Sequence, residues 1–567
     1  MTEEGKGPDS CCLVEDEGAR STGVEQWQRV LLLVILAGAA LLRFWNLDFG
    51  LPRFYHPDEQ TKVLRVLWPM LRDHTLDPRY FNHPAFLLYS TGAVGLTRSA
   101  LTGEEISGDL MLLSGRTVSA VMGTFTVFLV FLLGRRLAGA WCGLVAAALL
   151  AASPLHVQCS HYMKEDVAVT AWATLQLLLC VRYVQDGRRR DLFLAGAFTG
   201  MATATKYVGA LSAVSLLAAC LLRWRLAGLR EAWRGVVRDV AICGALACVV
   251  FVAVNPYALL NAQQFRTGVN REAVHARRGH FRGRLAAGPW RDLWTYHLRR
   301  SLIPGMGLMV VGLGVAGSVW ALRRRDRAAC LVVLAGAVGY LVQESSPLKP
   351  PPQPERYMVL VLPMVAVMAA YFVAQAATAC RRRAGGNRPC VVLAGVLVAA
   401  MLAPPLLDSV RNVASMKPDT RDLASAWLAE NCPAGSKVML VGVPNYCPRV
   451  PESCEALYTA WIFRDLSDGE TGELRRTAFD LESRTYDALD DDLPPIVPDY
   501  MVISSFWYMR YVDPRNRHEA GRYYGELIPR HLGEPVSTFS SPHGSYGFNN
   551  PEIRIYDLRR TQGADPS

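Results

Sequence analysis

Two adjacent carboxylates, Asp58 and Glu59, stand in the stretch FYHPDEQTKVLRVLWPMLRDHTLDPRYFNHPAFLLY (residues 54–89), directly after the first long apolar run. Ionisable groups beside lipid cost free energy unless they are paired, hydrated or used. The structural alternative for Asp58 is an N-cap on the helical run 60–71. His83 follows in the same stretch. His161, Lys164, Glu165 and Asp166 lie in SPLHVQCSHYMKED, Lys206 in TATKYVG, and Glu355 and Arg356 in PERYMVLVLP. Lys206 reads either as a snorkelling lysine or as a partner for an anion, most simply a phosphate. Arg356 and Arg116 (in SGRTVSA) carry the same ambiguity, and a guanidinium suits bidentate phosphate binding. Asp166 either caps its helix or orients one of these cations.

What must position these groups is a membrane scaffold. The 567 residues are 51% hydrophobic and 19% charged, with positive mean hydropathy, too apolar for a soluble protein of this size. Runs of about 18–22 apolar residues define a polytopic α-helical membrane protein. The net charge of +10 sits in short Arg clusters between apolar spans, which points to topology rather than to nucleic acid. Most of the fourteen cysteines are single residues inside apolar runs, where each reads as a small hydrophobe, and no CxxC pattern occurs.

Spans are expected near 30–47, 117–134, 141–157, 165–184, 191–204, 207–222, 237–254, 302–322, 328–343, 356–378 and 389–407, about eleven in all. With a cytoplasmic amino terminus, this count puts every Arg cluster on one side, as the positive-inside rule requires. Counting 84–96 as a further span would break the parity, so it reads as interfacial or re-entrant. Residues 1–24 are polar and acidic and read as a disordered cytoplasmic tail, 25–407 as the membrane domain with a long first extracytoplasmic loop at 48–115. The tail 408–567 reads as a small extracytoplasmic α/β domain. Its helix-like segments are PDTRDLASAWLAEN and GRYYGELIPRHL; its strand-like segments are KVMLVG, YMVISSF and IRIYD. Cys447 and Cys454 could bridge there, with Cys432 left over. The acids, histidines and lysines named above then converge on the extracytoplasmic helix mouths, which is more than topology requires.

The HPDE and NHPAF blocks, SPLHVQCSHYMKEDVAVTAWATL, ATATKY, PERYMVLVLP and KPDTRDLASAWLAENCPAGSKV resemble, in that order, the GT-C glycosyltransferases. The branch is that of the protein O-mannosyltransferases and lipid A aminoarabinose transferases. The resemblance covers most of residues 30–440. One departure is His83-Pro84-Ala85, where many members have two prolines; beyond residue 450 there is no clear match.

The resemblance implies transfer, with inversion, of a sugar from a polyprenyl-phosphate carrier to an extracytoplasmic acceptor. Asp58 would take the acceptor hydroxyl's proton, with Glu59 as an acceptor-side or structural neighbour. Lys206, Arg356 and Arg116 would offset the charge of the departing phosphate. His83, Asp166, His161 and Glu355 would support them. No cofactor or metal is expected beyond the lipid-linked donor. The acceptor is a protein, lipid or glycan, nucleic acid is not a partner, and the setting is the plasma (inner) membrane. The rivals are a lipid-linked-sugar transporter or flippase, disfavoured by the absence of a clear internal repeat, and a non-catalytic membrane subunit.

Overall fold

In lipid every backbone polar group must be satisfied within the segment, so apolar runs of this length fold as helices. The computed structural model describes residues 10–227, 232–278, 294–346, 354–384, 388–459, 496–512, 528–542 and 547–559. Among these, seven helices are long and apolar enough to cross a membrane. The number is up to eight if Leu298–Met306 and Leu308–Arg324, bent by 103°, form one span. The other expected spans are the shorter helices Ala140–Ala151, Arg189–Thr205 and Tyr207–Arg223. The stretch expected to be interfacial or re-entrant is a 17-residue helix, Phe86–Thr102, packed along Gly108–Ala138.

Small residues bring these helices together. A Cβ added at Gly196, in Arg189–Thr205, would stand 2.8 Å from the Cys243 Cα of helix Ala232–Val254; such close backbone approach is how helices associate where lipid removes the hydrophobic drive. Arg43, fully buried near the end of Ser10–Phe44, donates to the carbonyls of Leu150 and Ala151 and ties the first helix to Ala140–Ala151.

The expected boundaries shift. The first helix begins at Ser10, within the expected tail; residues 1–9 lie outside the described residues. At the other end, Arg388–Ala414 runs past residue 407 with Pro404 and Pro405 inside it.

The C-terminal domain is a five-stranded sheet in the order β2-β1-β3-β5-β4. Its strands are β1 (Lys437–Val441), β2 (Glu455–Thr459), β3 (Tyr500–Ser504), β4 (Ser537–Phe539) and β5 (Ile553–Asp557). β1 runs parallel to β2 and β3, whereas β5 is antiparallel to β3 and β4. Every residue of β3 is buried, as expected of a strand covered on both faces. Helix Thr420–Asn431 starts in a capping box between Asp419 and Asp422. Of the expected helix at 521–532, Ile528–Leu532 is helical and 521–527 lie outside the described residues. β2 and β4 were not expected. The Cys447 and Cys454 thiols are free; among the described residues a disulfide joins Cys380 to Cys390, with Cα atoms 6.1 Å apart. Each of those two cysteines reads in sequence as one more small apolar residue, so the pairing has no local signal.

Residues 48–107, the 159–165 turn, Lys206, the Pro354–Val361 turn and the C-terminal domain gather at one end of the helices. Arg135 and Arg136, and Arg323 and Arg324, close helices at the other end.

Candidate active site

Helix Pro57–Lys62 continues through a π turn, Val63–Leu67, into Trp68–Arg72. Its N-cap is His56, whose Nδ1 accepts from the Asp58 N–H at 3.1 Å. The N-cap that was the alternative role for Asp58 is therefore supplied two residues earlier, and the Asp58 side chain is left for other partners. Neighbouring residues on a helix point about 100° apart, so the two carboxylates diverge. Glu59 turns inward. It takes a bidentate pair from Arg116 at 3.0 and 2.8 Å and accepts from the Met163 N–H at 2.8 Å. Arg116 also donates to the carbonyls of Leu47 and Phe49 and lies 3.9 Å over the Phe49 ring. Both side chains are fully buried. Arg116 thus stands apart from the other cations, spent on Glu59 and the loop backbone.

Asp58 points the other way, 45% accessible although protein surrounds it closely, as for a group lining a recess. It pairs with Lys164 and, at 3.3 Å, with Arg356. Lys206 pairs with Asp166 at 2.6 Å, and Lys62 with Glu165 at 2.5 Å. The Tyr357 ring joins the set: the Lys206 ammonium and the Arg356 guanidinium each lie 5.3 Å from its centroid. Three carboxylates (Asp58, Glu165, Asp166) face four cations (Lys62, Lys164, Lys206, Arg356), which leaves one positive charge. Arg356 Nε, Asp166 Oδ2 and Glu165 Oε2 make no hydrogen bond within the protein, although buried polar atoms are seldom left so. A group of this composition suits a monoanion with further hydroxyl or amine donors.

Burial pushes the Asp58 carboxyl up, but the cations around it, Lys164 foremost, outweigh burial and hold it well below the usual carboxylate range. Burial drives His83 down to about 3 against the smaller opposing pull of Glu165, so its imidazole is neutral. His56 is held neutral for the same reason, consistent with Nδ1 acting as an acceptor. Lys62 falls to about 8, burial outweighing Glu165.

The structure thus brings Asp58, Asp166, Lys206 and Arg356 together, with His83 beside Glu165. Glu355 adds a part-buried carboxyl one residue before Arg356. His161 is separate: its ring nitrogens meet the carbonyls of Val157 and Trp45 at 2.9 and 3.0 Å, a structural tie. Lys164 and Glu165 stand in sequence among the groups converging on the helix mouths but carry no assigned role there, and Lys62 and Tyr357 were not singled out. Lys164 and Glu165 directly precede Asp166 in a motif already noted, and Tyr357 follows Arg356. Lys62 had no signal beyond its place one helical turn after Asp58. Among the described residues no group of three or more His, Cys, Asp or Glu side chains could hold a metal ion.

Residues 102–257 match the family described as Dolichyl-phosphate-mannose-protein mannosyltransferase. Comparison with curated proteins gives no significant match. Among solved structures, one similar chain is the oligosaccharyltransferase AglB of Archaeoglobus fulgidus, in complex with an inhibitory peptide and a dolichol-phosphate. It is 14% identical with a TM-score of 0.55, over 96% of this chain and 75% of that one. Another is ArnT of Cupriavidus metallidurans in the apo state, 16% identical with a TM-score of 0.50, over 94% and 98%. The chain is accordingly a multi-pass membrane protein of GT-C fold with a small C-terminal sheet domain, and the resemblance read from its sequence is borne out.

Proposed function

We propose that this chain is a glycosyltransferase that moves a sugar from a polyprenyl-phosphate carrier to an acceptor hydroxyl with inversion at the anomeric carbon. The observation that carries this reading is the sharing of Arg356. The same guanidinium binds the accessible carboxylate of Asp58 and stands with Lys206 over Tyr357, so a proton acceptor and an anion site adjoin. The match of residues 102–257 and the dolichol-phosphate carried by AglB support a lipid-phosphate donor.

The acceptor oxygen attacks the anomeric carbon, the bond from that carbon to the phosphate oxygen breaks, and the polyprenyl phosphate leaves with the electron pair. Asp58 takes the acceptor's proton. The gain of negative charge on the leaving phosphate is offset by Arg356 and Lys206 in a site partly shielded from water. Their present partners, Asp58 and Asp166, are carboxylates that a phosphate would displace. Once Arg356 turns to the phosphate, Asp58 loses a cation and its proton affinity rises toward what a base needs. The side-chain cations carry the charge offset without a metal. The Arg clusters at the far end of the helices support a cytoplasmic far end and a site on the extracytoplasmic side.

The test is purified protein supplied with a panel of polyprenyl-phosphate sugars, following release of polyprenyl phosphate. Turnover with one or more donors and none with free sugar supports the reading. Sugar-lipid movement across vesicles without bond cleavage would make it a flippase.

A further inference from the structure

We infer that Arg421 of the C-terminal domain is a positioning residue for Asp58, so that the domain is a working part of the active site and not an appendage. The inference rests on the role proposed above for Asp58.

Arg421 is fully buried, and all five of its N–H donors find acceptors. Nε and one Nη2 hydrogen go to Asp419 at 2.7 and 2.8 Å, and the other Nη2 hydrogen to the Phe548 carbonyl at 2.7 Å. Nη1 donates to the Asn445 carbonyl at 2.6 Å and, across to the first loop, to the Tyr55 carbonyl at 3.4 Å. The guanidinium lies 3.6 Å over the Tyr55 ring, whose hydroxyl donates to Asp422. The Asn445 amide donates to the Phe54 carbonyl and to Gln60 Oε1. The His56 ring, which caps the helix of Asp58, packs tilted against Phe548 with centroids 4.2 Å apart and edge-on to Tyr162 at 5.0 Å.

Residues 54, 55, 56 and 60 are therefore held by the C-terminal domain, while the carboxylate between them is held by Lys164 and Arg356 of the membrane domain. Asp58 sits at the junction of two independent sets of restraints. A loop of this length positions a catalytic group only when its backbone is fixed from outside. Here the fixing comes from Asp419, Arg421, Asn445 and Phe548. A misplacement of about 1 Å in such a group costs roughly 10²-fold in rate.

The experiment uses the full chain with Arg421→Lys, which keeps the charge but not the planar five-donor fork, and with Asn445→Ala. Backbone hydrogen exchange over residues 54–60 should rise in both. With the best polyprenyl-phosphate sugar of the panel, kcat should fall about 10–100-fold while donor KM stays within about twofold. Unchanged exchange at 54–60 overturns the clamp whatever the donor result, and raised exchange with wild-type kcat overturns the positioning role. A parallel loss of kcat and of polyprenyl-phosphate binding assigns Arg421 to folding alone and also overturns it. Should Arg421→Lys fail to fold, Asn445→Ala carries both readouts. A wild-type chain that turns over no donor sinks the functional reading instead, and is recognised by the absence of a rate to lose.

Discussion

Arg356 Nη1 lies 3.3 Å from Asp58 Oδ2, joining the first loop to the turn that opens the helix Leu362–Ala384. One guanidinium therefore connects the proposed base to the proposed phosphate site, and the predictions turn on that shared contact.

Asp58→Asn keeps the shape and removes the proton acceptor. Transfer is expected to fall about 10²–10⁴-fold, while the purified protein elutes as wild type on size exclusion. Near wild-type release of polyprenyl phosphate would remove Asp58 from the base role.

Lys206→Ala and Arg356→Ala should raise donor KM about tenfold or more and change acceptor KM less, since each loses a charge-assisted contact to the donor phosphate. Equal binding of polyprenyl phosphate by variant and wild type would count against the phosphate assignment.

Glu59→Gln should act on stability and not on donor recognition. It breaks a buried pair and leaves Arg116 uncompensated, at a cost of roughly 3–5 kcal/mol. The check is the thermal midpoint in detergent; an unchanged midpoint with lost activity would return Glu59 to the chemistry.

The pH dependence has a definite sign. The folded carboxyl of Asp58 lies below its ordinary value of 3.8, so its contribution to stability is present above that value and lost as pH falls through the folded one. The thermal midpoint of wild type minus that of Asp58→Asn should stay flat from about pH 7 to about pH 5 and shrink below about pH 4. A difference that grew on acidification would mean the carboxylate is not held by cations. Donor saturation should move the acid limb of the rate profile upward, because the phosphate draws Arg356 away.

EDTA treatment should leave the rate unchanged, since Lys and Arg supply the charge offset. Loss of activity restored by Mg²⁺ or Mn²⁺ would hand that task to a cation.

The spans were legible because twenty-residue apolar runs leave the backbone no other structure, and β1, β3 and β5 because their apolar runs are bounded by polar turns. β2 (Glu455–Thr459) and β4 (Ser537–Phe539) were not, since short edge strands carry little periodicity. Within the site, the residue types were visible at helix mouths, but their pairing was not. Asp58 and Glu59 are neighbours in sequence, yet helix geometry sends one to a recess and the other to Arg116. Arg116 and His161 carried the same signal as Arg356 and His83; only their partners distinguish them.

By itself the sequence determined the class of fold, the end of the helices where the charged groups gather, and the HPDE stretch as the place to look. The tertiary structure decided which cation meets which acid: Lys164 and Arg356 on Asp58, Lys206 on Asp166, Lys62 on Glu165. It also revealed that the C-terminal domain grips the loop through Arg421. Local pattern follows from backbone hydrogen bonding and the bilayer, both properties of short segments. The pairings join residues from 40 to nearly four hundred positions apart, and only the packing of the helices and the sheet against one another sets those distances.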